Sequence, residues 1–225
     1  MSTSFPQQLL GVGIVGLWLA VVVCTALSVR HRWPTQREWS RKVVHIGTGP
    51  VVLLAWWFGI NRWLALPAAL LVTLATALNH RFRVLPAVED VGRHSYGTIA
   101  YGASISLLLA LFWPEQPLAV AAGALVMALG DGLAGLVGPQ LQSPRWQLFG
   151  QSKSLAGTAS MAGASLLVLA ALAAAAEGSG LAAPPLPNLL LIALLATALE
   201  QLSSFGIDNL SVPLLSSLLW SHWAA

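Results

Sequence analysis

The chain has 225 residues, of which 56% are hydrophobic and only 8% charged, and its formal net charge is +3. A soluble domain carries about 25% charged residues, so this composition excludes one and indicates a polytopic membrane protein. The single cysteine, Cys24, excludes an internal disulfide. The basic residues lie in short loops between apolar runs, a distribution that argues against nucleic-acid binding.

Seven apolar runs predict membrane-spanning helices, because each is near the length of about 20 residues that crosses a bilayer. They cover residues 9–29, 43–60, 63–80, 98–113, 117–137, 155–176 and 186–204. We therefore expect an all-α, polytopic integral membrane bundle that forms a single domain over residues 1–225. A final apolar stretch, Ser211 to Trp223, is short for a span, and spanning, re-entrant and interfacial placements are all open. No Lys or Arg precedes the first run, which favours an uncleaved span over a signal peptide.

The distribution of positive charge predicts the orientation. Ten of the eleven Lys and Arg residues lie in the loops that follow the first, third and fifth runs, and Arg62 lies on the other side. Cytoplasmic loops are enriched in these residues, so we expect the three loops inside and the N-terminus outside. The polar clusters then share the cytoplasmic face, and we expect the centres of the spans to be free of charge. A surface-facing enzyme site explains this better than a transporter, whose ionisable groups lie near the midplane.

The first polar cluster stands at the start of the second run. Glu38, Lys42 and His45 fall on one face of a helix, with Arg41 beside them. Arg41 and Lys42 can receive a phosphate, and Glu38 can orient one of them. The alternative is that these basic residues only contribute the positive charge that is usual in cytoplasmic loops. His45 lies a turn inside apolar sequence, where an ionisable group is costly and therefore indicates function.

The second cluster is Asp131 with its neighbouring glycines, which directly follows a long apolar run. At the C-terminal end of a span a negative charge is unfavourable unless a cation offsets it, which favours Mg²⁺ ligation over helix capping. Gly132, Gly135 and Gly138 recur every three residues. They allow either a nucleotide to approach the backbone or helices to pack closely.

The third cluster begins the sixth run, and it contains Ser152, Lys153, Ser154, Gly157 and Thr158. Free N–H groups and the positive end of the helix dipole are expected there, and an anion bound beside the lysine is favourable. A phosphate site is therefore expected at this helix start. It is not a P-loop, because that motif needs Gly where Ser152 stands.

The fourth cluster ends the seventh run. Glu200, Ser204 and Asp208 fall on one face if the helix continues past Gly206, and Asn209 follows them. Carboxylates there are expected to hold a metal or to act as a general base on a hydroxyl. A solvated helix end is the alternative, and it fits Asp208 better than Glu200.

Taken in order, these motifs resemble the polyprenol kinase family, and within it the phytol kinases of plants and cyanobacteria. The resemblance covers most of the chain from about residue 37 onward. The motifs that carry it are Glu38…Arg41-Lys42…His45, Gly130-Asp131-Gly132…Gly138, Lys153-Ser154…Gly157-Thr158 and Glu200…Asp208-Asn209-Leu210.

The resemblance implies an integral membrane kinase that moves the γ-phosphate of CTP, or of UTP, onto the hydroxyl of an isoprenoid alcohol, with Mg²⁺ as cofactor. Phytol, geranylgeraniol and farnesol are the expected acceptors, in phytol salvage and the synthesis of tocopherol and other prenyl lipids. The expected partners are the bilayer, the alcohol and the nucleoside triphosphate. The lack of a transit segment favours a bacterial or cyanobacterial membrane, with the active site on the cytoplasmic face.

The same hypothesis assigns roles to single residues. Asp131 and Glu200 are expected to ligate Mg²⁺, and Glu200 or Asp208 to orient or deprotonate the alcohol. The expected catalytic residues are Asp131, Lys153, Glu200, Asp208 and His45. The expected nucleotide-binding residues are Arg41, Lys42, Gly132, Gly135, Ser152, Ser154, Gly157, Thr158 and Asn209.

Two other functions are open. A cytidylyltransferase similar to CDP-diacylglycerol synthases would release pyrophosphate and a CDP-lipid, whereas the kinase would release CDP and a lipid monophosphate. A small membrane transporter would show flux without nucleotide dependence, and spans free of charge argue against it.

Overall fold

The computed structural model describes residues 4–82, 84 and 96–224. Its elements, in chain order, are helices with one short hairpin between them. They are α1 (Phe5–Arg32), α2 (Arg37–Thr48), α3 (Val51–Trp57), α4 (Arg62–Phe82), α5 (Gly97–Phe112), α6 (Pro117–Gln140), β1 (Arg145–Leu148), β2 (Gln151–Ser154), α7 (Leu155–Gly178), α8 (Leu186–Leu202) and α9 (Asp208–Trp223).

The helices confirm the expected helical membrane bundle. Within the described ranges, α1, α4, α6 and α7 are long and apolar enough to cross a membrane, and α5 and α8 are shorter apolar helices. The count of seven spans and the orientation stay predictions. Two of the basic residues behind the orientation, Arg83 and Arg93, lie outside the described residues.

Helix α6 is the central helix of the bundle. Of its most apolar window 67% is buried, against 17% in α1 and 6% in α4. A helix that is apolar all round is typical of a protein interior or a membrane span, and the burial of α6 assigns it to the interior of this bundle. Helix α9 packs on it, with Ser217 Oγ donating to the carbonyl of Ala119 at 2.7 Å and Trp220 buried nearby. The final apolar stretch is therefore a helix within the bundle.

Asp131 lies inside α6, and the expectation that it ends a span is wrong. The helix runs on to Gln140 and contains a π-helical turn from Val126 to Asp131. Single π turns inside α-helices occur frequently at functional sites. The cost of a carboxylate here comes from burial among helices rather than from a helix end. Asp131 is therefore an ionisable group inside an apolar helix, and the expectation that the centres of the spans are free of charge stays a prediction.

The second apolar run forms two helices instead of one, because Gly49 and Pro50 separate α2 from α3. Proline lacks the N–H that a continuous helix needs. Gly49 lies so close to α6 that a Cβ atom there would be 2.5 Å from Cβ of Ala128. Helix α2 begins at Arg37, earlier than the predicted span, so the first polar cluster lies on a helix that contacts α6.

The hairpin between α6 and α7 was not predicted. Its strands β1 and β2 are antiparallel, with Trp146 opposite Lys153 and Leu148 opposite Gln151. Phe149 and Gly150 make the two-residue turn. The hairpin places Lys153 on the strand directly before α7, where it faces the end of α8.

Candidate active site

A cavity of about 620 Å³ lies at one end of the bundle. It is bounded by α2, α6, the hairpin, the start of α7, the end of α8 and the start of α9. Twelve of the predicted site residues line it: Arg41, Lys42, Asp131, Gly135, Ser152, Lys153, Ser154, Gly157, Thr158, Glu200, Asp208 and Asn209. His45 and Gly132 do not belong to the lining.

Asp131 is held by two basic side chains from α2. Lys42 Nζ donates to Asp131 Oδ2 at 2.8 Å and to the Asp131 carbonyl oxygen at 2.9 Å. His45 Nε2 lies 3.0 Å from Oδ2 and 3.1 Å from the carbonyl oxygen of Met127. Both atoms facing Nε2 are acceptors, so this nitrogen carries the ring proton. His45 therefore lies behind Asp131 and orients it.

The π turn explains why two backbone carbonyls of α6 accept side-chain hydrogen bonds. A π turn interrupts the regular pairing of N–H and C=O groups, and buried carbonyls must find other donors. Met127 and Asp131 lie in this turn, and their carbonyls accept from His45 and Lys42. The local backbone of α6 thus helps to fix both side chains of α2.

The glycines after Asp131 serve mainly helix packing. A Cβ atom on Gly132 would overlap Cγ1 of Ile46, and one on Gly135 would lie 2.7 Å from Nζ of Lys42. Gly132 is buried against α2, so the structure favours the packing alternative over nucleotide contact there. Gly135 lines the cavity and also gives the Lys42 side chain its path to Asp131.

Lys153 and Glu200 form a second, partly buried ion pair, which joins the hairpin to α8. Lys153 Nζ donates to Oε1 of Glu200 and to its backbone carbonyl oxygen, the latter at 2.9 Å. Glu200 is in the last turn of α8, where carbonyls lack helical partners and a cation is favourable. Its other oxygen, Oε2, accepts from Gln201 at 2.7 Å.

Asp208 reaches the same cavity from the first turn of α9. The helix does not continue from Glu200 to Asp208, because α8 ends at Leu202 and a turn at Phe205-Gly206 precedes α9, so the condition for one shared helix face is not met. One ligand oxygen each of Asp131, Glu200 and Asp208 nevertheless lie within 4.8 Å of one another. Burial and then the negative charge of Asp131 raise the pKa of Asp208.

These oxygens fit a divalent cation. Asn209 is 3% exposed and donates from Nδ2 to the carbonyl of Gly97, but its Oδ1 has no hydrogen-bond partner among the described residues. A buried polar atom without a partner is costly. Hard cations such as Mg²⁺ bind carboxylate and amide oxygens. Asn209 Oδ1 and the three carboxylates are such a donor set.

The start of α7 does not offer the free N–H groups that the sequence suggested. The N–H groups of Leu155, Ala156 and Gly157 donate to Pro144 O, Ser143 Oγ and Ser154 Oγ, respectively. Ser154 is thus the N-cap of this helix, and Thr158 Oγ1 donates back to the Ser154 carbonyl. The protein itself satisfies this helix end, so these three N–H groups are not free to bind an anion in the cavity.

Arg145 is a lining residue to which sequence reasoning gave no role beyond orientation. Its Nη2 donates to the carbonyls of Gly138 and Pro139 at 3.4 and 3.2 Å, at the end of α6. In the described part of the chain it has no carboxylate partner, unlike Arg41, whose Nε and Nη2 bind Glu38 at 2.9 and 2.8 Å. Its only signal in the sequence was its position shortly before Lys153.

The lining thus carries both signs of charge in equal number. The cations are Arg41, Lys42, Arg145 and Lys153, and the anions are Glu38, Asp131, Glu200 and Asp208. Such a site favours a ligand that brings both signs, for example a divalent cation together with a polyphosphate.

Comparison with known proteins gives the family. A phytol kinase of Synechocystis sp. is 41% identical over 216 residues, which cover 96% of this chain and 91% of that protein. A probable chloroplastic phytol kinase 1 of Glycine max is 30% identical over 221 residues, 90% of this chain and 72% of its own. A probable chloroplastic phytol kinase of Triticum aestivum is 27% identical over 210 residues, 85% of this chain and 69% of its own.

No family model and no solved structure matches the chain. The Synechocystis and Glycine max relatives are each at least 30% identical over most of both chains, which confirms the resemblance seen in the motifs. The chain belongs to the phytol kinase family.

Proposed function

We propose that this protein phosphorylates phytol, with CTP or UTP as the donor of the γ-phosphoryl group. Family membership supports the reaction, and one structural observation supports the cavity as its site. Three carboxylates, two of them buried, and two lysines that are buried or half-buried converge on one cavity at the ends of the helices. A water-soluble nucleotide and an alcohol dissolved in the bilayer meet most readily at such a position.

Asp131 and Glu200, with the amide oxygen of Asn209, would hold Mg²⁺, and Asp208 would be left to act on the alcohol. When bound, the ion would offset negative charge on the phosphate groups. Asp131 keeps Oδ1 outside its contacts with Lys42 and His45, and each carboxylate oxygen can accept more than one partner. Asp131 could therefore bind the ion through Oδ1 while Lys42 stays on Oδ2, close to the phosphates.

The basic side chains would stabilise the transferred phosphoryl group. Phosphoryl transfer depends mainly on positioning and on electrostatic stabilisation. Lys42 and Lys153 are already ordered by their carboxylate and carbonyl partners, so little reorganisation is needed when charge develops. Arg145 has no carboxylate partner among the described residues and would take a phosphate first, while Arg41 is oriented by Glu38.

Asp208 is the better of the two candidates for the general base. Both oxygens of Glu200 are engaged, by Lys153 and by Gln201. Asp208 forms no ion pair within the described ranges and accepts one backbone N–H, from Asn209 at 3.1 Å. Its raised pKa suits proton removal from an alcohol better than the pKa of an ordinary carboxylate.

The product would be phytyl monophosphate, a precursor for phytyl diphosphate and hence for tocopherol and other prenyl lipids. We place the cavity on the cytoplasmic face, because the loops that surround it carry most of the basic residues. The isoprenoid chain would lie in the bilayer between helices, with its hydroxyl at the carboxylates.

The test uses purified protein in detergent with Mg²⁺, γ-labelled CTP or UTP, and a panel of phytol, geranylgeraniol, farnesol, dolichol and diacylglycerol. We expect label in phytol above all, and little in dolichol or diacylglycerol. Label that appears only in diacylglycerol or dolichol would assign another acceptor. Folded protein that transfers no label to any alcohol would overturn the proposal.

A further inference from the structure

Two phenylalanines adopt a backbone conformation that is unusual for their residue type. In the part of the chain that the structure describes, Phe149 (φ 49°) and Phe205 (φ 56°) are the residues other than glycine with positive φ. A bulky side chain is a clear outlier in this region, because its Cβ comes too close to the backbone. The two sites are more than fifty residues apart in sequence, yet they share the same conformation.

Each phenylalanine stands at the same position of the same kind of turn. Gly150 (φ 75°) and Gly206 (φ 85°) follow them, so both central residues of each turn have positive φ. Around the second turn, the N–H of Ile207 donates to the Ser204 carbonyl at 3.1 Å. Such type I′ turns strongly prefer Asn, Asp or Gly at the position of the phenylalanine. The sequence thus departs twice from local preference in the same way.

Packing does not compensate for this departure. Phe149 is 67% exposed and Phe205 is 60% exposed. Both residues line the cavity that contains the carboxylates and lysines. Residues held in unfavourable backbone regions reduce stability, and they cluster at ligand-binding sites, where their function outweighs this cost. The two side chains are therefore expected to contact a ligand in this cavity.

Their place along the cavity indicates which part of the ligand they meet. Both turns lie beyond the ends of membrane-embedded helices, one between α6 and α7 and the other between α8 and α9. Asp131 and Glu200 lie within α6 and α8 and are buried. Phosphate groups bound at the lysines would leave the base of the nucleotide at the outer end of the cavity. An isoprenoid chain would instead come from the bilayer, and the charged lining does not favour it.

We propose that Phe149 and Phe205 bind the nucleobase of the phosphoryl donor by stacking. This inference rests on the proposed function, because it takes a nucleoside triphosphate to be the donor. Stacking on an aromatic ring is tolerant of the base, since every base has a π face. The two residues should therefore contribute affinity for CTP and UTP alike, and not the discrimination between them.

The experiment measures steady-state kinetics and nucleotide binding on full-length protein in detergent. In F149A and F205A we expect KM for the nucleotide to rise about tenfold, with kcat and the KM for phytol nearly unchanged. F149W should retain wild-type KM. F82A is the matched control, because Phe82 is 68% exposed and does not line the cavity.

A second variant separates binding from structure. In F149N the turn receives a residue that it prefers, so thermal stability should be unchanged or higher, while KM for the nucleotide still rises. A KM that rises for phytol instead would place the phenylalanines against the isoprenoid chain and overturn the inference. Unchanged KM values in active F149A and F205A would overturn it as well.

Equilibrium binding of labelled CTP distinguishes the two proposals. If the wild type phosphorylates no alcohol but binds CTP more tightly than F149N does, the nucleobase site holds and the proposed kinase reaction fails. If the wild type neither binds nucleotide nor transfers label, both fail.

Discussion

Lys42 and Lys153 are bound in the same way on opposite sides of the cavity. Each ammonium group is held by the carboxylate and the backbone carbonyl of one acidic residue, Asp131 for the first and Glu200 for the second. Buried charges cost several kcal/mol each unless they are paired and hydrogen-bonded. These pairs therefore set both the stability of the site and its readiness to bind an anion.

Replacing Lys42 with methionine tests the first pair. K42M leaves the Asp131 carboxylate buried with His45 as its remaining close partner, so the free energy of unfolding should fall by about 3–5 kcal/mol. The double variant K42M/D131N should recover most of this loss but no kinase activity. Thermal unfolding in detergent and label transfer measure the two effects. A fully stable and active K42M would show that the pair has neither role.

The raised pKa of Asp208 predicts opposite effects on stability and on activity. The folded protein holds this proton more tightly than the unfolded chain does, so the contribution of Asp208 to stability is present below its ordinary pKa of 3.8 and is lost as pH rises through the raised value. Because asparagine does not ionise, D208N should not lose this stability as pH rises, and it should be at least as stable as the wild type at pH 8. It should still lose activity by about 100-fold or more, because the base is missing.

The check is a pH series of thermal unfolding and of kcat for the wild type and D208N. Wild-type kcat should rise with pH as Asp208 loses its proton. A D208N variant that is active, or that is less stable than the wild type at pH 8, would contradict the assignment.

At the scale of elements, close packing of α2 on α6 positions the first ion pair. A methyl group at Gly135 would overlap Cε of Lys42 and lie 2.7 Å from Nζ, so G135A must displace the ammonium group from Asp131. We expect activity to fall at least about tenfold, with a loss of about 1–3 kcal/mol in stability. G163A on α7 is the control, because a Cβ atom there would meet nothing within 4 Å. Equal activities of G135A and G163A would refute this role of Gly135.

The helices could be predicted from hydropathy, but the short elements between them could not. The hairpin has two four-residue strands with mostly polar residues, so no alternation of apolar side chains marked it. The break at Gly49-Pro50 had a signal, the proline, which apolar residues on both sides obscured. The π turn that ends at Asp131 left no pattern in the sequence.

The members of the site were easier to predict than their geometry. Ionisable residues beside apolar runs identified Lys42, Asp131, Lys153 and Glu200, because such residues are costly there. Only the fold shows that His45 lies behind Asp131. The satisfied N–H groups at the start of α7 also depend on residues that are distant in sequence, such as Ser143.

For the whole molecule, the cavity has a deep charged end and an outer aromatic end. Lys42, Asp131 and Glu200 are buried on α2, α6 and α8, and the exposed phenylalanines lie on the loops. This order fits a ligand that carries phosphates at one end and an aromatic ring at the other. It also requires that the loop end of the cavity face the compartment that supplies the nucleotide.

Cysteine labelling tests that orientation. In a C24S background, Q147C on β1 and S179C after α7 place one exposed thiol at each end of α7. In intact cells a membrane-impermeant thiol reagent should label S179C, and it should label Q147C only after the cells are permeabilised. The reverse pattern would place the cavity outside.

The most direct test of the central claim compares two positions of the label in CTP. Purified protein is incubated with Mg²⁺ and phytol, and separately with phosphatidic acid, using γ-labelled or α-labelled CTP. A kinase transfers the γ label to phytol and leaves the α label in CDP, and D131N should transfer no γ label. If instead the α label appears in lipid and pyrophosphate is released with phosphatidic acid, the protein is a cytidylyltransferase and not a phytol kinase.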